Sequence, residues 1–145
     1  MYRYSECGLR DVWLVNGYRR EPTPYGEAVA VDDVAGLHQA IARRLVESKP
    51  KLSGAEFRFL RRELDLSQAK LARSFGLTDQ TVAIWEKTGR VPAWADRFIR
   101  CLWREQTEGN AQISALIDRL DTLAQPAGGK QLFQETKRGW SAKAA

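Results

Sequence analysis

Residues 68–87 read QAKLARSFGLTDQTVAIWEK, and this stretch decides the fold. Two helices joined by a tight turn cross closely only where the first carries a small residue, and Ala72 stands there. The turn needs a residue that adopts positive φ without a Cβ penalty, which Gly76 supplies. Leu71, Phe75, Leu77, Val82 and Trp85 recur where apolar side chains must lock the two helices together. Thr78 stands as N-cap of the second helix, whose first turn is then free to enter a groove. This pattern is a helix-turn-helix.

Working outward, Ser53 and Glu56 make an S-x-x-E capping box, so a helix starts there, buries Phe57, Leu60 and Leu64, and ends at Asp65. Ser67 caps the next helix. After the break TGRVP at 88–92, Pro92 suits the first turn of a further helix that buries Trp94, Phe98, Ile99, Leu102 and Trp103. Beyond Gly109 and Asn110, Ile113, Leu116, Ile117, Leu120 and Leu123 lie on one helical stripe. The run PAGG at 126–129 closes that helix, and 126–145 reads as a flexible tail.

Upstream, DVWLV at 11–15 reads as a strand ended by the turn dipeptide Asn16-Gly17. EPTPYG at 21–26 reads as a loop, since its two prolines oppose regular pairing. AVAV at 28–31 reads as a second strand. Asp32 or Asp33 caps a helix with Val34, Leu37, Ile41 and Leu45 at helical spacing. The expected architecture is mainly α: a small ββα module over 1–50, a four- to five-helix domain over 51–106, an amphipathic helix over 107–125 and the tail.

Charge supports the same division. Residues 1–50 hold seven bases and seven acids, 51–104 hold eleven bases and six acids, and 105–145 hold five of each. The whole surplus of +5 therefore lies in the central segment, the electrostatic footprint of a module that binds a polyanion. Cys7, Cys101 and His38 offer at most three soft or imidazole ligands without paired spacing, so neither a zinc site nor another cofactor is expected. No paired carboxylates, nucleophile with a base, or phosphate-binding loop appears, which argues against an enzyme. No apolar run reaches membrane-spanning length and no secretion signal is visible, so a cytoplasmic, nucleoid-associated protein without a membrane is expected.

If Val82 and Trp85 face inward, helical spacing turns Asp79, Gln80, Ala83, Ile84 and Lys87 outward. Gln80 can pair bidentately with adenine. Ile84 either meets a thymine methyl group or packs on the 88–92 loop. Thr81 is divided between helix packing and a phosphate or methyl contact. Asp79 either accepts from a cytosine amino group or favours the helix N-terminus. Gln68, with its amide and backbone N–H, is placed to bind a phosphate, and Lys70, Thr78, Lys87 and Arg90 are further phosphate candidates. Arg58 and Arg62 read as solvated. The aromatic residues Tyr2, Tyr4, Trp13, Tyr18 and Tyr25 form either a partner surface or the core of the N-terminal module.

SQAKLA at 67–72, GLT at 76–78, QTV at 80–82 and WE at 85–86 resemble the helix-turn-helix of Cro/C1-type (XRE) repressors, over residues 53–104. The resemblance implies a lambda-repressor-like domain that binds a palindromic DNA operator as a homodimer and represses transcription. It further implies that Gln68 contacts a phosphate and buttresses the recognition helix. Arg61 and Glu86 would form a partly buried ion pair joining the first and third helices. The wider layout is similar to MqsA/YgiT-type and HigA-like antitoxins, which implies a toxin partner, although the paired zinc cysteines of the former are absent here. For dimerisation, the stripe 113–123 and the N-terminal module are both open, as is packing of the stripe on Trp103. The alternative function is a protein-interaction module that uses the helix-turn-helix as a scaffold without specific DNA binding.

Overall fold

The computed structural model describes residues 1–109 and 132–143. The chain is mainly α. Strands β1 (Tyr2–Arg3), β2 (Trp13–Leu14), β3 (Tyr18–Thr23) and β4 (Gly26–Val31) precede helices α1 (Val34–Ser48), α2 (Gly54–Glu63), α3 (Gln68–Ser74), α4 (Asp79–Thr88) and α5 (Ala93–Glu108), with β5 (Leu132–Thr136) and β6 (Gly139–Lys143) last. Among the described residues the strands pair as β1–β2, β3–β4 and β5–β6, all antiparallel.

Local chemistry accounts for most helix ends. Asp33 caps α1 by accepting from the Gly36 N–H, in the left-handed conformation that Asp tolerates. The capping box of α2 closes in both directions: Ser53 Oγ accepts from the Glu56 N–H, and Glu56 Oε1 accepts from the Ser53 N–H. Ser67 Oγ accepts from the Lys70 N–H at the start of α3. Gly89 closes α4 with φ +75°, its N–H on the Trp85 carbonyl.

These helices share one core. Leu52, Phe57, Leu60, Leu71, Val82 and Ile99 are almost fully excluded from solvent. Ala42, Leu45 and Val46 of α1 belong to the same cluster, so the core crosses the 50/51 boundary read from the sequence. Arg100 of α5 reinforces that crossing by donating to the carbonyls of Leu45, Val46 and Lys49 at the end of α1. Its ion-pair partner Asp96, 2% exposed, also accepts the Leu52 N–H at 2.8 Å. A buried acid and a buried base are tolerated here because each is paired and hydrogen-bonded.

Several sequence expectations need correction. The N-terminal strands do not pair as the first and second members of one ββα unit: Trp13–Leu14 pairs with Tyr2–Arg3, and β4 pairs with β3. Residues 21–23, expected in a loop, belong to β3, with Pro22 opposite Glu27. In an antiparallel ladder every second N–H points away from the partner strand, and an outward site on a two-stranded ribbon tolerates proline. Trp94, expected in the core, is 51% exposed, and its ring lies edge-on to Phe75 and Trp85. Asp96 and Arg100 take interior places on α5 instead. Within the expected tail, residues 132–136 and 139–143 pair as a hairpin. The stripe of Ile113, Leu116, Ile117, Leu120 and Leu123 lies outside the described residues.

Candidate nucleic-acid interface

The orientation of α4 follows from its two buried anchors. Val82 is fully buried and Trp85 is 7% exposed, with the Trp85 ring edge-on to Phe57 at 6.1 Å. Helical periodicity then presents Asp79, Gln80, Ile84 and Lys87 to solvent, with Thr81 and Ala83 half-buried along the margins. Ile84 is 57% exposed, so the 88–92 loop does not cover it.

A second restraint fixes the helix along its length. Arg61 Nε and Nη2 donate to the two carboxylate oxygens of Glu86 at 2.7 and 3.0 Å, and Arg61 Nη1 donates to the Leu66 carbonyl. The side chains are 8% and 5% exposed, and a fork-on-fork pair of this kind has little rotational freedom. Gln68 Nε2 donates to the same carboxylate at 3.0 Å. Three segments therefore converge on one acid: α2, the start of α3, and α4.

Gly54 completes the clamp. A Cβ at this position would collide with the Glu86 carbonyl, so the first turn of α2 lies directly against the backbone of α4. Sequence reading missed Gly54. The available signal is a glycine in the first turn of a capped helix, where almost any residue serves unless a neighbour approaches too closely.

Individual side chains depart from the expected roles. The Gln68 amide N–H is committed to Glu86, leaving its carbonyl oxygen and backbone for other contacts. Thr78 occupies the N-cap position without a side-chain cap bond, and its hydroxyl pairs with that of Thr81 at 3.3 Å. Asp79 Oδ1 accepts the Gln80 N–H, folding the carboxylate over the start of the helix, where negative charge is favoured. Lys70 lies beside the Ser67 cap, half-buried. Lys87 and Arg90 are exposed at the far end of α4. Gly76, at the turn between α3 and α4, has φ +69°.

Folding also sharpens the charge asymmetry. Among the six acids of residues 51–104, the Glu56, Glu86 and Asp96 side chains are 5%, 5% and 3% exposed. Among the eleven bases of that segment, only Arg61 and Arg100 are buried. Burial thus withdraws acids preferentially and leaves a surface more basic than the composition implies. Such a surface concentrates polyanions.

Away from this face, His38 bridges two segments: Nε2 meets the Tyr4 hydroxyl at 2.8 Å and Nδ1 meets Glu63 Oε1 at 2.9 Å. Among the described residues, no group of three or more His, Cys, Asp and Glu side chains is placed to hold a metal ion, and no helix is long and apolar enough to cross a membrane. Comparison with family models, curated proteins and solved structures returned no match to this chain.

Proposed function

We propose that this protein is a sequence-specific regulator of transcription that reads duplex DNA through α4, as a Cro/C1-type repressor with a lambda-repressor-like domain. The observation that carries the reading is the exposed line of Gln80, Ile84 and Lys87 on a helix locked from behind by Val82, Trp85 and Glu86. A helix held in one rotation presents a fixed set of side chains, which base readout in the major groove requires. Gln80 reads adenine, Ile84 meets thymine methyl groups, and Gln68, Lys70, Thr78, Lys87 and Arg90 position the phosphates. Asp79, Thr81 and Ala83 flank the reading edge. The protein binds as a homodimer on a palindromic operator, since one such helix covers only a few base pairs. In its antitoxin form, a toxin occupies the N-terminal region.

The test is a titration of DNA fragments from around the protein's own gene at several salt concentrations. Specific affinity near 10⁻⁸ M or tighter, roughly a thousandfold above random DNA, supports the reading. Weak association without sequence preference or salt dependence overturns it. That result favours the scaffold reading, for which the exposed Trp94, edge-on to Phe75, supplies an apolar contact point.

A further inference from the structure

A cavity of about 460 Å³ opens between α1 and the segment that carries β2, away from α4. Its volume falls in the range of small-molecule sites. Leu37, Ile41 and Leu45 of α1 form one wall, and Leu9 and Leu14 face them. Trp13 stands at the rim, 54% exposed. The wall opposite α1 is held in place from two directions. Tyr4 N–H donates to the Val12 carbonyl at 2.8 Å, and the Tyr4 hydroxyl reaches His38 of α1. The cavity is thus largely formed before any ligand arrives.

The charges around it define the ligand. Four charged residues line the cavity: Asp11, Arg44, Lys49 and Glu56. Lys49 and Glu56 neutralise each other at 3.2 Å. Asp11 and Arg44 enter no ion pair and no side-chain hydrogen bond among the described residues. One unmatched anion and one unmatched cation therefore border an apolar floor. A purely anionic ligand would be repelled by Asp11, and a purely cationic one by Arg44.

We propose that this cavity binds a zwitterion with a large apolar body, the chemical class of an α-amino acid bearing an aromatic or long aliphatic side chain. The carboxylate faces Arg44, the ammonium faces Asp11, and the side chain lies between Trp13 and the α1 wall.

Calorimetry on the full chain without DNA tests this, with L-phenylalanine, 3-phenylpropionate and phenethylamine as probes. L-phenylalanine should bind saturably, and each single-charge analogue about two- to fivefold more weakly, as expected for partly solvated charge pairs. In Arg44→Gln, L-phenylalanine and phenethylamine should bind alike; in Asp11→Asn, L-phenylalanine and 3-phenylpropionate should bind alike. Both positions are exposed, so neither variant disturbs the core. No saturable binding of L-phenylalanine up to about 20 mM overturns the proposal. So does a single-charge analogue that binds the unaltered protein as tightly as L-phenylalanine.

Discussion

Arg61 and Glu86, 25 residues apart in the chain, meet through two hydrogen bonds of 2.7 and 3.0 Å while both side chains stay more than nine-tenths buried. Removing one partner strands the other's charge. Arg61→Ala should cost about 3–5 kcal/mol in urea unfolding, and replacing both residues by apolar ones of similar size should cost less than that single change. A loss below about 1 kcal/mol would place the pair among solvent-screened surface bridges.

Gly54→Ala sets two effects against each other. Alanine is the better helix former by up to about 1 kcal/mol, but its Cβ would collide with the Glu86 carbonyl. Backbone cannot rotate aside as a side chain can, so overpacking should win by about 1–3 kcal/mol. A stabilised variant would mean that α2 and α4 separate freely.

Base readout and phosphate positioning should respond differently to substitution. Gln80→Ala should relax preference among operator variants while retaining most affinity for random DNA. Arg90→Ala should weaken all sequences alike and reduce the salt slope by about one. If Gln80→Ala leaves preference intact, the exposed edge of α4 is not the reading edge.

The two thiols should differ in reactivity. Cys7 is half-buried, and burial raises its pKa, so less of it is thiolate at a given pH. Cys101 is exposed on α5. Iodoacetamide near pH 8 should therefore label Cys101 well before Cys7, read by mass spectrometry of the peptides. Because the Cys7 pKa is raised, its labelling should keep accelerating at pH values where an ordinary thiol has levelled off.

Tyr4→Phe keeps a 5%-exposed ring and deletes only the hydroxyl bonded to His38. The expected cost is about 1 kcal/mol by thermal or urea unfolding. An unchanged midpoint would show that the bridge from the N-terminal segment to α1 carries no net stability.

What could be read from the chain alone was mostly local. The Ser53–Glu56 capping box, the Ser67 cap, the positive φ at Gly76 and the inward pair Val82 and Trp85 are all short-range signals, and each has its counterpart in the structure. What escaped was set by distant neighbours. Asp96 and Arg100 look like surface charges on α5 until the end of α1 and the Leu52 N–H are brought to them. Gln68 reads as an unoccupied amide until Glu86 arrives from 18 residues away. Gly54 looks dispensable until α4 is laid across it. Pro22 argued against a strand because its outward site depends on register, which no single residue reveals.

The guanidinium of Arg100 has a practical corollary for anyone cutting this gene. A fragment beginning at residue 51 would keep every turn of α2 to α5 yet lose the three carbonyls that occupy Nη1. It would also bare the apolar ground beneath Ala42, Leu45 and Val46. Such a truncation should be prone to aggregate, and a chimera carrying a foreign leader would have to rebuild that carbonyl nest before the remainder could stand.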